Sequence, residues 1–314
     1  MNLNNTVLVT HKFCADGSTC ALLFLAAGGK KENIIFSLPN HSDVDQLVQD
    51  LLFSQTRRAE KFLLVDISIS EHMAELVNKS YGKDDIMIID HHSSAIPLNK
   101  FSFCHVDVNN QNCGCMLFYD WLMSNCSCGH DKLHKYKPLV TLVDDNDRWV
   151  HNLPESIEMA EFHKILGQEL FLERFEKDVK VDLSIQELYL LKTYHHKQEI
   201  DIAHKKKQVR KIVKTINGNN YTFGFVVAGG TDQSVLGQAI YSDPELDVDV
   251  AIIIAGDGIS FRAKQDCDLD LSKLAKRFRG GGHHKASGCQ ISGIIGKELI
   301  DLVSEHMRFE DENS

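Results

Sequence analysis

The sequence predicts an α/β protein of two lobes: a parallel sheet with helices on both faces, then a smaller α/β C-terminal lobe, joined by a helical linker. Three observations carry this. Through His92, short β-branched runs alternate with helix-length segments. Those runs are continuously apolar, as strands covered on both faces are, rather than alternating apolar and polar. From about Glu155 to Val209 the pattern turns helical and charged, with a basic run in "HHKQEIDIAHKKKQVRKI", and beyond it the period changes to strand pairs punctuated by glycine turns. The expected boundaries are 1–185 for the first lobe, 186–210 for the linker and 211–314 for the second lobe. A chain of 314 residues is long enough for two such cores.

Taken in order, "NTVLVTH" (Asn5 to His11) is the first strand, and "GSTCALLFLAAGG" follows as a helix ending in glycines. "NIIFSL" (Asn33 to Leu38) is the second strand. "SDVDQLVQDLLFSQ" (Ser42 to Gln55) opens on a Ser cap and carries Val44, Leu47, Val48 and Leu51 at helical spacing. "KFLLVDIS" (Lys61 to Ser68), "SEHMAELVNKS" (Ser70 to Ser80) and "DIMIIDHH" (Asp85 to His92) continue as strand, helix and strand. In the second lobe "RKIVKTI" and "YTFGFVVAG" flank "NGNN", a hairpin signal. "VDVAIIIAGDGISFRAK" supplies two more strands around Gly-Asp-Gly, and "RFEDENS" reads as a frayed acidic tail.

Composition narrows the function classes. Hydrophobic residues at 43% and charged residues at 25% are ordinary for a globular protein. No apolar run approaches the roughly 20 residues of a membrane span, and "MNLNNTVLVTHK" lacks the features of a signal peptide. Nine scattered cysteines suit reduced thiols, so a cytoplasmic location is expected. "CGC" and "CSCGH" lack the C-x₂₋₄-C spacing of zinc sites and read as cysteines packed at the ends of the helix "CMLFYDWLM"; His195 and His196 read as solvent-facing. A net charge of −10 argues against a broad basic surface for long nucleic acid. Any polyanion must meet a local patch, and Leu271 to Lys285, with five Lys or Arg and no acidic residue, is one.

Metal-type ligands gather where the apolar runs end. The first ends in "THKFCADG" with His11 and Asp16, the third in "VDIS" with Asp66, and the fourth in "DHH" with Asp90, His91 and His92. A later run, "LVTLVDDNDRW", closes with Asp144, Asp145 and Asp147. A single carboxylate at a strand end is weak evidence, because it usually caps or faces water. Four segments converging on one sheet edge are a different matter, since parallel sheets bind ligands beyond the carboxyl ends of their strands. Carboxylates and neutral imidazoles suit Mn, Mg, Fe or Zn, and crowded carboxylates need cations to neutralise them. Two ions about 3.5–4 Å apart form the usual clamp for phosphoryl transfer. In the second lobe "RFRGGGHHKASG" combines glycines that let backbone N–H groups approach an anion with His283, His284 and Lys285, and Arg262 can aim a guanidinium at the same anion.

Together "THKFCADG", "VDIS", "IDHH", "VDDNDRW" and "GGGHHKASG" resemble the DHH phosphoesterase family with its DHH-associated C-terminal domain. The motifs stand in the family's order over nearly the whole chain. The resemblance implies two divalent cations, Mn²⁺ first and Mg²⁺ second, and hydrolysis of phosphodiesters or phosphomonoesters. By position it implies His11, Asp16, Asp66, His91 and Asp145 as metal ligands, with Asp66 bridging and Asp147 as the fallback for Asp145. It implies His92 as the group facing the phosphate, Asp90 as the partner that orients a His, and Arg262, Gly280, Gly281, Gly282 and His283 as substrate binders. The chain departs from the family's first motif at one place: Cys14 stands near the position of a second Asp. A thiolate ligand and an inert buried thiol both fit there, the inert thiol being the plainer reading. The expected substrate is a short oligonucleotide or small nucleotide phosphate, with no surface for a long duplex and no membrane; a homodimer through an edge strand is compatible. A cyclic-dinucleotide phosphodiesterase and a phosphoadenosine phosphate phosphatase are the alternatives in the same class. A non-catalytic nucleotide-binding regulator is the alternative outside it.

Overall fold

The computed structural model describes residues 3–38, 41–53, 60–80, 85–107, 109, 111–126, 129–229, 232–256, 258–278 and 280–290. The chain divides into two compact units, Met1–Lys192 and Thr193–Ser314. The acidic tail, Gln55 and Asp257 of the Gly-Asp-Gly turn lie outside the described residues.

The first unit is built on strands β1 (Thr6–His11), β2 (Ile34–Ser37), β3 (Lys61–Val65), β4 (Ile86–Asp90) and β5 (Cys104–Val106). They pair in parallel in the order β2-β1-β3-β4-β5. Helices α1 (Ala15–Ala26), α2 (His41–Phe53) and α3 (Glu71–Lys79) cross between the first four strands. The continuous apolar runs are explained by burial on both faces. Leu8, Leu63, Val65 and Ile89 join one core with α1, while Val7, Val9, Phe62, Leu64 and Ile88 join the other with α2 and α3. Leu22, Leu23 and Phe24 of α1 are fully buried, and each such side chain contributes about 1.5–3 kcal/mol. Ser70 caps α3, its Oγ accepting from Met73 N at 3.1 Å. The expected Ser42 cap is not at the helix start: α2 begins one residue earlier, so Ser42 lies inside its first turn. β5 was not expected; three residues are too few to show a period.

Helices α4 (Gly114–Asn125), α5 (His130–Asp147), α6 (Pro154–Lys177) and α7 (Ile185–Lys206) follow. The run "LVTLVDDND" is therefore the end of α5. Of the four apolar runs expected to converge at one sheet edge, three are strand ends and the fourth is a helix C-terminus. Leu133, Tyr136, Val140 and Val143 are buried at intervals of three and four, so the period over the longer window is helical. A break at Gly167 (φ 68°, ψ 170°) interrupts α6.

In the second unit β6 (Arg210–Ile216), β7 (Asn219–Val227), β8 (Val250–Ala255), β9 (Gly258–Ala263), β10 (Gly281–Gly282) and β11 (Ala286–Gln290) form one sheet in the order β10-β11-β9-β8-β7-β6. Among these described strands only β7 and β8 pair in parallel. Asn217 and Gly218, with φ of 51° and 85°, make the β6–β7 turn with both central residues left-handed, the geometry that Asn-Gly favours. Helices α8 (Gln233–Tyr241) and α9 (Leu271–Lys276) cover opposite faces, α8 through Leu236 and Ile240 and α9 through Leu271 and Ala275. Among the described residues no helix is long and apolar enough to cross a membrane.

Candidate metal centre

The strand order reverses between β1 and β3, and a parallel sheet opens a crevice at such a point, beyond its carboxyl ends. His11 ends β1, Asp66 follows β3, and Asp90, His91 and His92 close β4. Asp66 lies at the middle of the group and is 2% exposed. Its Oδ1 is 3.2 Å from His91 Nε2. Its Oδ2 is 3.6 Å from His11 Nδ1 and 3.4 Å from Cys14 Sγ. His91 Nε2 also lies 3.7 Å from Asp16 Oδ2 and 3.6 Å from Asp147 Oδ2.

Local sequence explains these placements. Gly17 lets α1 run against β1, since a Cβ there would stand 2.1 Å from His11 O. Cys14 caps α1, its Sγ accepting from Gly17 N at 3.1 Å. Asp16 accepts from Gly114 N (2.8 Å) and Cys115 N (2.5 Å), so the N-terminus of α4 points at it. Gly114 permits that approach, because a Cβ would meet Asp66 Cβ at 2.6 Å and Asp16 Oδ2 at 3.1 Å. The "CGC" segment thus supplies backbone donors to the cluster, a part that its reading as packed cysteines did not anticipate. The glycine between them was the available signal.

Asp90 stands beside the group, one of its oxygens lying within 4.8 Å of donor atoms of Asp66, His91 and His92. Its Oδ1 accepts from His91 N (2.8 Å) and lies 2.7 Å from His92 Nδ1, while its Oδ2 accepts from Ser68 Oγ. Asp145, expected as a ligand, is turned elsewhere. Its carboxylate accepts from Asn152 N (3.0 Å), Leu153 N (3.1 Å) and Ser156 Oγ (2.6 Å), and so holds the start of α6. Asp147 is the aspartate that reaches His91. Asp144 accepts from Cys113 N and pairs with Arg148.

The electrostatics follow from burial and crowding. Burial, then Asp66 and Asp147, pushes the Asp16 carboxyl well above the usual range; burial, then Asp66, also raises Asp147. Burial opposes charge on His91, yet its hydrogen bond to Asp66 and the charges of Asp16, Asp66 and Asp147 raise it to about 10. Burial likewise opposes charge on His92, but Asp90 raises it to about 9. Burial pushes Asp66 upward too, but hydrogen bonds from His11 and His91 outweigh it and hold the carboxyl well below its usual value. The cluster draws positive charge to itself. Donor atoms of His11, Cys14 and Asp66 lie within 4.8 Å of one another, as do those of Asp16, His91 and Asp147, and these oxygen, nitrogen and sulfur donors fit divalent first-row ions.

In the second unit Arg262 is held by its surroundings. Its guanidinium donates to Phe261 O (3.0 Å), Ser287 O (3.3 Å) and Ser234 Oγ (3.2 Å), and its stem packs where Gly237 leaves room. Gly280 passes flush against β11, since a Cβ would stand 2.1 Å from Gly288 O, and Gly282 (φ 129°) lies against Ser287. Gly281 has open space where its Cβ would be. Gly280 N donates to Ala275 O and His283 N to Ala286 O, so these two N–H groups serve the turn itself, and the His283 side chain is exposed.

A parallel sheet bearing buried carboxylates and partly buried imidazoles at its switch point, followed by a separate mixed sheet, defines a two-unit α/β protein with a candidate divalent-metal centre. Comparison with known proteins is consistent with that. Residues 206–308 match the DHHA1 domain model. The chain is 24% identical over 295 residues to oligoribonuclease NrnB of Bacillus subtilis (strain 168), covering 89% of this chain and 71% of that protein. Exonuclease RecJ bound to manganese aligns with TM-score 0.50 and 14% identity over 98% of this chain and 91% of that one. RecJ of Thermus thermophilus in complex with Mn²⁺ gives 0.52 and 14%, over 98% of this chain and 53% of that one. The C-terminal part of the chain thus matches the DHHA1 domain, and most of its length is similar to an oligoribonuclease and shares the fold of RecJ.

Proposed function

We propose that the protein is a divalent-metal-dependent phosphodiesterase that hydrolyses short oligonucleotides. The observation that carries this reading is Asp66, a buried carboxylate with His91 on one oxygen and His11 and Cys14 on the other. That arrangement suits a carboxylate shared between two cations, one with His11 and Cys14 and the other with Asp16, His91 and Asp147. When bound, the cations supply Lewis-acid stabilisation of the phosphoryl oxygens and activation of water at neutral pH. Mn²⁺ is the favoured ion for the group formed by Asp16, His91 and Asp147.

The chain's own groups do the rest. Asp90, held by Ser68, fixes the His92 ring through Nδ1 and stabilises the proton on it. His92 then offers Nε2 to a phosphate oxygen, as donor during binding and as general acid toward the leaving oxygen. In the second unit, taken by itself, Arg262 and His283 are the side chains suited to binding a phosphate. A short substrate is supported by the likeness to an oligoribonuclease and by a net charge of −10, against which the segment from Leu271 to Lys285 is a local basic patch. The eight described cysteines are all free, as suits a cytoplasmic enzyme.

The test is a panel with Mn²⁺: pApA, longer oligonucleotides, cyclic dinucleotides and phosphoadenosine phosphate, each with wild type and Asp66→Asn. Turnover of pApA that falls with chain length and disappears in Asp66→Asn is expected. Preference for a cyclic dinucleotide or phosphoadenosine phosphate would reassign the substrate. Equal rates in the variant would remove the metal-centre reading.

A further inference from the structure

We infer that the His11 side of Asp66 is a mixed nitrogen, sulfur and oxygen site in which Cys14 is a ligand, so that it selects a borderline ion such as Zn²⁺, Fe²⁺ or Co²⁺ over Mn²⁺ and Mg²⁺. The inference rests on the metal centre proposed above and deepens it.

The thiol does not stand alone. Its Sγ converges with His11 Nδ1 and Asp66 Oδ2, all within 4.8 Å of one another. The separations are informative. A tetrahedral ion with bonds of about 2.0–2.3 Å needs roughly 3.4 Å between a nitrogen and an oxygen ligand and roughly 3.6 Å between a sulfur and an oxygen ligand. The corresponding distances here are 3.6 Å for His11 to Asp66 and 3.4 Å for Cys14 to Asp66. Adjacent oxygens around octahedral Mg²⁺ lie closer, at roughly 2.9 Å. The two separations lie about 0.2 Å above and about 0.2 Å below the tetrahedral values, so these three donors can meet one such ion with small adjustments.

Position supports the same assignment. Cys14 is the N-cap of α1, and Gly17 N donates to its sulfur at 3.1 Å. The helix N-terminus favours negative charge on the capping atom, but burial, then Asp66 and Asp16, push the free thiol well above its ordinary value, so a thiolate here needs a cation beside it. The S–H now points at Asp66 Oδ2. On coordination the metal–sulfur bond replaces the S–H bond, and the proton leaves to solvent. Thiolate ligands select by softness, where carboxylates do not.

The other thiols near the cluster, Cys113 and Cys115, have sulfurs 3.4 Å apart and share a metal-capable group with Asp16. The two sulfurs are hydrogen-bonded to each other, which makes that pair the weaker candidate and the necessary control.

The test uses the full chain loaded with Co²⁺, because thiolate–Co²⁺ bonds give a near-ultraviolet charge-transfer band that carboxylate and imidazole ligands do not. Bound Co²⁺ is counted by equilibrium dialysis, and thermal melts confirm that each variant folds. Wild type should bind Co²⁺ and show the band. Cys14→Ser should lose the band and at least the roughly 10–100-fold in Zn²⁺ affinity that loss of a mere supporting partner costs. Cys14→Asp should lose the band and shift preference toward Mn²⁺, while Cys113→Ser should keep it. Bound Co²⁺ without the band, or a band that survives in Cys14→Ser, would overturn the assignment of Cys14 alone. Absence of any bound metal would overturn the proposed metal centre, and this inference with it.

Discussion

Replacing the two neighbouring aspartates of α5 separately should split stability from metal binding. Asp145→Ala removes the acceptor for Asn152 N, Leu153 N and Ser156 Oγ. Asn152 is exposed and its N–H can turn to water, and Ser156 Oγ retains Leu153 O at 2.7 Å. The main losses are the partner of the Leu153 N–H and the charge-assisted bond from Ser156. Together with the lost capping of α6 these amount to about 2 kcal/mol. For a unit of this size that is a drop in Tm of roughly 4–8 °C. Asp147→Asn removes no cap, and relieves a carboxyl whose charge is disfavoured by burial and by Asp66, so its Tm should match or exceed that of wild type. Metal affinity should behave in reverse, unchanged per folded molecule in Asp145→Ala and about 10–100-fold weaker in Asp147→Asn. Because Asp145 is held below its ordinary value, its contribution is present above the unfolded carboxyl pKa of about 3.9 and fades as pH falls below it. The Tm difference should therefore shrink in acid. Thermal melts with metal titrations at several pH values check all of this. Metal binding lost in Asp145→Ala with Tm unchanged would refute the assignment.

Gly114→Ala places a Cβ 2.6 Å from Asp66 Cβ, which should cost about 1–3 kcal/mol and abolish turnover, read by thermal melt and the pApA assay. His163 is buried on Ser18 and lowered to about 4 by burial, then by Lys164. Its folded value lies below the unfolded 6.5, so stability should fall as pH drops from about 6.5 to 4, by about 3 kcal/mol, and denaturant titrations of His163→Gln should lack that limb. Gly218→Val forces a β-branched residue to φ 85° and should cost at least about 1 kcal/mol without altering metal affinity, as melts and dialysis together would show.

The site was legible where chemistry and secondary structure coincide. A parallel sheet exposes only the ends of its buried strands, so a His or Asp closing an apolar run has few places to point. His11, Asp66 and His91 therefore stood out, and the structure brings them together. Asp147 was obscured by a question of phase. On a helix, residues 145 and 147 are about 200° apart, so they cannot face one point, whereas 144 and 147 are within about 60°. Reading only the last apolar residues concealed that α5 is a helix; Leu133 and Tyr136, further back, reveal it. β5 and the donors from α4 stayed hidden for another reason. A strand of three residues shows no alternation, and a backbone N–H leaves no mark in sequence except the glycine that lets it approach.

Two loops at the switch point are held in conformations that L-residues disfavour. Asp66 has φ 61° and is pinned by its N–H to Ile89 O at 3.0 Å; Phe13 has φ 68° and donates to Gln168 Oε1 at 3.2 Å. Each such residue costs of order 1–3 kcal/mol and persists only when the surroundings enforce it. Asp16 and Asp147 add carboxyl groups whose charged forms burial opposes. The scaffold thus sets the donors in place before any ion arrives, at a cost to the folded state of a few kcal/mol. A cation present at 100 times its Kd returns about 2.7 kcal/mol, a comparable amount. The first unit should therefore be markedly more stable with metal than without, because an ion binds the folded set of donors and not the unfolded chain.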